Sequence, residues 1–313
     1  MMVPAALLLL GALFAVVAPR LLARADWPDR EPVVALWVWQ CVVAAVLLCC
    51  VLSMALSGAA AWTAVRGRVF APAPDPVVEA YALDAGGSWA VGTAVVLACG
   101  GLWTGVMLVR EVVRARRQLQ RRHAELHSRA PLLPGEDPAG DRLVVVEGER
   151  PDAWWLPGPT PRLVITTAAL RRLKGRQVDA VVAHEQGHAR ARHHWLLHCS
   201  AALADGFPRV PVFAAFRDEM HRLVELAADD TASRHHGRLT IALALVGLNE
   251  DRGVFGPCPT PDDHVPQRVH RLLTPPERLT PARRLRLTAY AALVPVVPVL
   301  VAFVPALRAL VRS

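Results

Sequence analysis

The feature that most restricts the fold is the apolar run from Val33 to Ala61, interrupted only by Gln40 and small residues. It exceeds the roughly 20 residues that a helix needs to cross a hydrocarbon core about 30 Å thick. Lipid offers no partner to backbone N–H and C=O groups, so such a run must satisfy them within a helix. Trp37, Trp39 and Trp62 stand toward its ends, where amphipathic rings favour the membrane interface. Three further segments carry the same signal. Val3 to Pro19 is uncharged and at the short end of spanning length. A signal peptide is the competing reading, but no positive stretch precedes the run and Leu21–Ala25 is a weak cleavage site, so a retained span is expected. Trp89 to Val109 contains Gly100–Gly101, suited to close helix packing. Leu287 to Val311 contains Pro295, Pro298 and Pro305, which spans tolerate where neighbours satisfy the freed carbonyls.

Charge is concentrated in the middle of the chain. Of 313 residues 53% are hydrophobic, and the formal net charge of +8 comes almost wholly from arginine, Lys174 being the one lysine. No basic stretch is interleaved with aromatics, which argues against a nucleic-acid partner. Cys41, Cys49, Cys50, Cys99, Cys199 and Cys258 form no C-x-x-C pair, and four lie in apolar segments, as expected of small buried hydrophobes rather than a disulfide scaffold. Arg110 to Arg122 reads REVVRARRQLQRR beside a span, a positive-inside signal that puts the end of the third span in the cytoplasm. Arg20, Arg24 and Arg30 place the first loop on the same side. The N-terminus and the Pro- and Gly-rich loop Arg66–Ser88 then lie outside.

Between the third and fourth spans, three short β-branched or aromatic runs are expected as strands: Arg142–Glu147, Asp152–Gly158 and Pro161–Thr167. Gly158, Pro159 and Pro161 fit a hairpin connection or an edge strand. Thr167 is placed to cap a short helix reaching Leu173, and a helix from Arg176 to His198 follows. Trp195 to Phe216 is apolar except for His198, Asp205 and Arg209, and Pro208 and Pro211 divide it. A full span would strand Asp205 in lipid, so core or interfacial helix is expected. A polar helix over about Arg217 to His235, an apolar helix over Leu239 to Leu248 and a Pro-rich loop over Val254 to Asp263 complete the insert.

Chemistry enters at Val181–His194, VVAHEQGHARARHH. His184 and His188 are four apart, so on a helix they share a face with Cβ atoms about 5–6 Å apart, close enough to meet at one metal ion. Glu185 follows the first histidine directly, where its carboxylate reaches a water beside the ion without becoming a ligand. This H-E-x-x-H pattern belongs to water activation for amide hydrolysis. A third ligand must come from elsewhere, and Glu225 in HRLVELAADD is the best candidate. Asp229 is four residues on, on the same face, placed to accept the second ring N–H of a ligating histidine. His193, His194, His198 and His221 form an alternative, histidine-only set. His235 and His236 end a helix, where they suit its dipole. His264 and Arg268 are candidates to stabilise an oxyanion or contact substrate, with a solvated helix-start turn as the bland alternative. The strand near Arg162–Thr166 is a candidate edge for an extended substrate.

Taken together, these residues resemble the gluzincin integral-membrane metallopeptidases, in which an E-x-x-x-D helix follows the H-E-x-x-H helix. The resemblance covers residues 123–275 and includes the strand-and-turn Asp152–Gly158 and the basic continuation Arg190–His194. It implies His184, His188 and Glu225 as ligands of one zinc ion, Glu185 as base and Asp229 as support. Two branches are close: the beta-lactam-sensor (antirepressor) type and the prenyl-protease and heat-shock membrane-protease type. Three spans, a cytoplasmic domain and a fourth span favour the first.

The expected architecture is thus an α-helical membrane protein of four spans with an inserted α+β, zincin-like metallopeptidase domain. Residues 1–122 carry three spans and the basic cytoplasmic exit, 123–286 the peptidase domain, and 287–313 the last span. The expected activity is hydrolysis of a protein or peptide substrate at the cytoplasmic face of a bacterial cell membrane, in signal-triggered cleavage of a transcriptional repressor. The alternatives are a constitutive quality-control protease and a catalytically silent, zinc-bound sensor or scaffold. Nothing in the sequence sets an oligomeric state.

Overall fold

A computed structural model describes residues 2–66, 88–129, 143–149, 151–156, 162–249 and 265–312. Helix α1 (Met2–Ala23), the single turn α2 (Trp27–Arg30) and α3 (Pro32–Arg66) form an N-terminal apolar hairpin. Gly11 lets α1 approach α3 closely, since a Cβ there would stand 3.0 Å from Cys49 Cβ. Helix α4 (Ser88–Arg129) is a continuous 42 residues, joining the expected third span to its basic exit.

Among the described residues, Val3–Ala23 and Pro32–Ala59 are long and apolar enough to cross a membrane. The expected last span differs from a straight rod. It divides into α11 (Pro281–Leu293) and α12 (Val296–Arg312), bent by 45°, and counts as a third crossing only if the pair is one span. Pro295 lies at the break, where it has no N–H to continue the ladder.

The sheet is small: β1 (Leu143–Val146), β2 (Ala153–Leu156) and β3 (Arg162–Thr166) lie in the order β1-β3-β2. β3 pairs parallel with β1 and antiparallel with β2. The strand expected to offer a free edge, Arg162–Thr166, is therefore central, and the open edge beside it belongs to β2. Gly158, Pro159 and Pro161 lie outside the described residues, as do most of the Arg66–Ser88 loop and the whole 254–263 loop.

The short helix α5 (Thr167–Arg172) is capped one residue earlier than expected: the Thr166 hydroxyl accepts from Ala169 N at 3.2 Å. Helix α6 (Arg176–Arg190) starts at Gly175, with Lys174 N donating to Gln177 Oε1 at 2.9 Å. It does not run on to His198. Arg192 takes a left-handed conformation with φ 53°, and α7 (His193–Gly206) sets off in a new direction.

Helix α8 (Pro211–His236) opens on a proline at its first position, where a missing N–H costs nothing, and ends at Gly237 with φ 79°. It absorbs the Pro211–Phe216 piece and the polar helix expected separately. Helices α9 (Arg238–Asn249) and α10 (Val265–Leu273) complete the fold. α10 turns Val265, Val269 and Leu272 onto Ala180, Ile241 and Ala242.

The largest core lies between the apolar hairpin and α8. Trp39, Val42, Val43 and Val46 of α3 pack with Val212, Phe213, Phe216 and Met220 of α8.

Candidate metal centre

Helices α6 and α8 cross at Gly187. A Cβ there would lie 3.5 Å from Ala228 Cα and 3.7 Å from Thr231 Cβ, so the crossing is close but leaves room for one methyl. This contact holds the histidine face of α6 against the carboxylate face of α8.

His184 Nε2 and His188 Nε2 stand 3.1 Å apart. Glu225 Oε2 is 3.5 Å from His184 Nε2, and Glu225 Oε1 is 3.3 Å from His188 Nε2. Among the described residues these three form the group able to hold a metal ion, with one ligand atom from each within 4.8 Å of the others. The triangle fits zinc: bonds of about 2.0–2.1 Å in tetrahedral geometry separate donors by about 3.3–3.4 Å, and the set leaves a fourth position open.

The far ring nitrogens are also engaged. His184 Nδ1 donates to Asp229 Oδ1 at 3.1 Å. His188 Nδ1 lies 3.0 Å from the Nδ1 of His193, which is buried at the start of α7. His193 belonged to the alternative ligand set; here it meets the back of a ligand candidate instead. No glycine or proline marks the Arg192 break that swings it there, so its position was not readable from the residues.

Arg268 departs most from expectation. It is buried, and all three of its nitrogens meet carboxylates: Nε to Asp229 Oδ2 at 2.8 Å, Nη2 to Asp229 Oδ1 at 2.8 Å and Nη1 to Glu225 Oε2 at 2.7 Å. A guanidinium so occupied neutralises the carboxylate helix rather than offering a free donor to an oxyanion. His264, the other oxyanion candidate, lies outside the described residues.

The electrostatics follow from burial and these contacts. Burial is the largest influence and would raise both carboxyls, but the charge of Arg268 together with hydrogen bonds from Arg268 and the histidines outweighs it, holding Glu225 well below the usual carboxylate range and Asp229 at about 2. Burial depresses His184, yet its bonds to Asp229 and Glu225 lift it to about 10. Burial pushes His193 down to about 4, so that ring is neutral. Burial also raises the carboxyl of Glu185, the direction that suits a proton acceptor which must later give the proton back.

Glu185 Oε2 accepts from the backbone N–H of Trp155 at 3.2 Å, so the outer edge of β2 runs beside it. A cleft of about 230 Å³ opens here, lined by His184, Glu185, Glu225 and Arg268 on one side and by apolar residues of α9, such as Ile241 and Leu245, on the other.

Two histidines and a glutamate around an open position, with a carboxylate beside them, define the donor set of a hydrolytic metal site. Residues 114–248 match the family model described as Peptidase family M48, a stretch running from within α4 to the end of α9 that includes all three donors. The match supports a zinc metallopeptidase of that type, and the two N-terminal apolar helices support membrane association. No curated protein and no solved structure matches the chain.

Proposed function

We propose that this protein is a membrane-embedded zinc endopeptidase that hydrolyses peptide bonds of a protein substrate at the cytoplasmic face. The observation that carries the reading is the donor triangle of His184, His188 and Glu225 with the carboxylate of Glu185 beside it. When bound, the ion supplies Lewis acidity, acidifying a water and polarising a carbonyl.

The chain's own residues do the rest. Glu185, kept in place by the Trp155 N–H, takes a proton from the attacking water and passes it to the leaving amine. Asp229 fixes the tautomer of His184 by accepting from Nδ1, which leaves Nε2 free for the ion. Arg268 balances the buried carboxylate of Asp229, which would otherwise resist ionisation, and the half-buried one of Glu225. The outer edge of β2 is the place for an extended substrate, held by main-chain hydrogen bonds, with the α9 wall receiving an apolar side chain.

The cytoplasmic placement rests on the arginine-rich exit of α4. The resemblance to the sensor type extends the reading to signal-triggered cleavage of a transcriptional repressor.

The decisive variant is Glu185→Gln. Purified in detergent, it should retain one zinc ion per chain while cleavage falls by about 10³-fold or more, the range expected for loss of a general base combined with loss of charge at the water. Wild-type protein that binds no zinc, or a variant that cleaves as well as wild type, would end the peptidase reading. The same variant mixed with membrane extracts should trap its substrates, and a captured repressor would support the signalling role.

A further inference from the structure

Helix α4 does not end where its apolar part ends. Past Val109 it continues as a single helix to Arg129, and between Arg110 and Arg122 it carries six arginines against one acid, Glu111. Arg110, Arg114, Arg117 and Arg121 follow one another at spacings of four, three and four, so they share a face of the helix.

Two contacts with α7 fix where this stripe lies. Trp103 Nε1 donates to the Gly206 carbonyl at 2.7 Å, and His198 Nδ1 is 3.8 Å from Glu111 Oε1. The contact residues are eight positions apart on each helix, so α4 and α7 run antiparallel and in step. Carried on for about five residues, the register brings Arg117 level with His193, which touches His188. β2 gives a second bearing, since α4 comes within 8 Å of it, Cα to Cα. The charged half of α4 therefore flanks the strand whose outer edge runs beside Glu185.

Along the stripe, the counter-ions run out toward that strand. Arg114 Nη1 lies 2.7 Å from Glu111 and 4.0 Å from Asp205, and Asp205 is also 3.8 Å from Arg217 of α8. Arg117 and Arg121 are exposed and form no ion pair among the described residues, the acids flanking β2 (Glu147, Glu149 and Asp152) included. Lipid does not account for them either. On the membrane reading proposed above, the headgroup layer on each side of the core is about 5–7 Å thick. Arg114 already stands outside the core, beside the charged Asp205 and Arg217. Arg121, about 10 Å of helix further on, is past the headgroups.

We propose that this stripe is a recognition surface for substrate, and that the substrates carry a run of Asp or Glu beside the peptide bond that is cut. The inference rests on the peptidase reading. A chain laid along the β2 edge passes the far end of the stripe, where exposed guanidiniums pair with its carboxylates. Those carboxylates have no place in the cleft itself. Arg268 is spent on Asp229 and Glu225, and the other charged side chains at the cleft, Asp152, Glu185 and Glu225, are acidic. Selection by charge is therefore made at α4, outside the cleft, and acts on encounter as well as on affinity.

The test uses the full chain in nanodiscs of neutral lipid with two pools of quenched fluorescent peptides. Both pools share a randomised core; the flanks are Glu and Asp in one, Gln and Asn in the other. At about 0.1 M salt, where the Debye length is ~10 Å, the acidic pool should be cut about tenfold faster, as two or three exposed ion pairs allow. The advantage should vanish at about 1 M salt, where that length is ~3 Å. It should also vanish in the double variant Arg117→Gln/Arg121→Gln, with the rate on the neutral pool unchanged. Four arginines remain between Arg110 and Arg122 in that variant, enough to keep the orientation of the helix. Equal rates on the two pools, or a preference that survives in the double variant, overturn the inference and leave the peptidase reading intact. A binding arm is independent of turnover. Glu185→Gln should bind the labelled acidic pool about tenfold more tightly than the neutral one by fluorescence anisotropy, and lose the difference when both arginines are replaced. Equal binding overturns the inference even if neither pool is cut.

Discussion

At the scale of single residues, the site is organised by what lies behind the ligand candidates. His184 rests on Asp229 and His188 on His193, so each ring has its orientation set by a contact to its far nitrogen. The two supports differ in kind. Asp229 is charged and pinned by Arg268, whereas His193 is neutral and buried. If His188 binds through Nε2, its Nδ1–H donates to His193 Nδ1. His193→Ala should then weaken zinc binding by about 10–100-fold, the range seen when such supports are removed. His193→Asn, which restores an acceptor, should recover part of the loss. Competition with a zinc chelator checks both. An unchanged affinity in the alanine variant would mean that His193 only fills space. Asp229 was legible in the sequence because it follows Glu225 by one helical turn on the same element. His193 was not, because its position depends on a chain reversal at a non-glycine residue with φ 53°.

At the scale of elements, the packing of α6 on α8 decides whether the ligand candidates meet. Gly187 is the contact point, and its cost to the helix is about 1 kcal/mol relative to alanine. Since a single Cβ there would meet Ala228 in ordinary contact, Gly187→Ala should keep zinc binding and raise the melting temperature slightly. Gly187→Leu should force the helices apart and lose zinc, because a displacement of even 1 Å spoils a triangle with 3.1–3.5 Å edges. Metal content and thermal unfolding of the two variants report this directly; equal zinc in both would show that the crossing does not set the site. The strands illustrate the limit of reading by pattern. All three were visible as β-branched runs, but which one is central depends on pairing. Pro161 at the start of the third run pointed to an edge, yet β3 takes the middle and β2 lies beside Glu185.

At the scale of the whole molecule, polar contacts tie the N-terminal apolar hairpin to the elements that carry the candidate site. Arg271 of α10 donates to both oxygens of Asp230 at 2.9 and 3.0 Å and to the carbonyl of Asp29 at 2.7 Å. Arg284 of α11 stands 3.4 Å from the buried Glu31. The loop between α1 and α3 is thus fastened to the same α8 and α10 that carry the candidate site, so if α1 and α3 cross a membrane, loop and site share one side of it. Reporter fusions inserted within residues 67–87 should score outside, and fusions following Arg129 should score cytoplasmic. The reverse result would move the site, and any substrate, to the other compartment.

By itself, the sequence determined the spacing of the candidate ligands and the apolar helices long enough to cross a membrane. Both are local properties: a period of four on one helix brings His184 to His188, and an uncharged run of spanning length favours lipid over water. The tertiary structure decided the occupation of Arg268, the support from His193, the β2 edge and the packing of α8 on α3. Each of these joins residues far apart in the chain, through packing that no local pattern encodes.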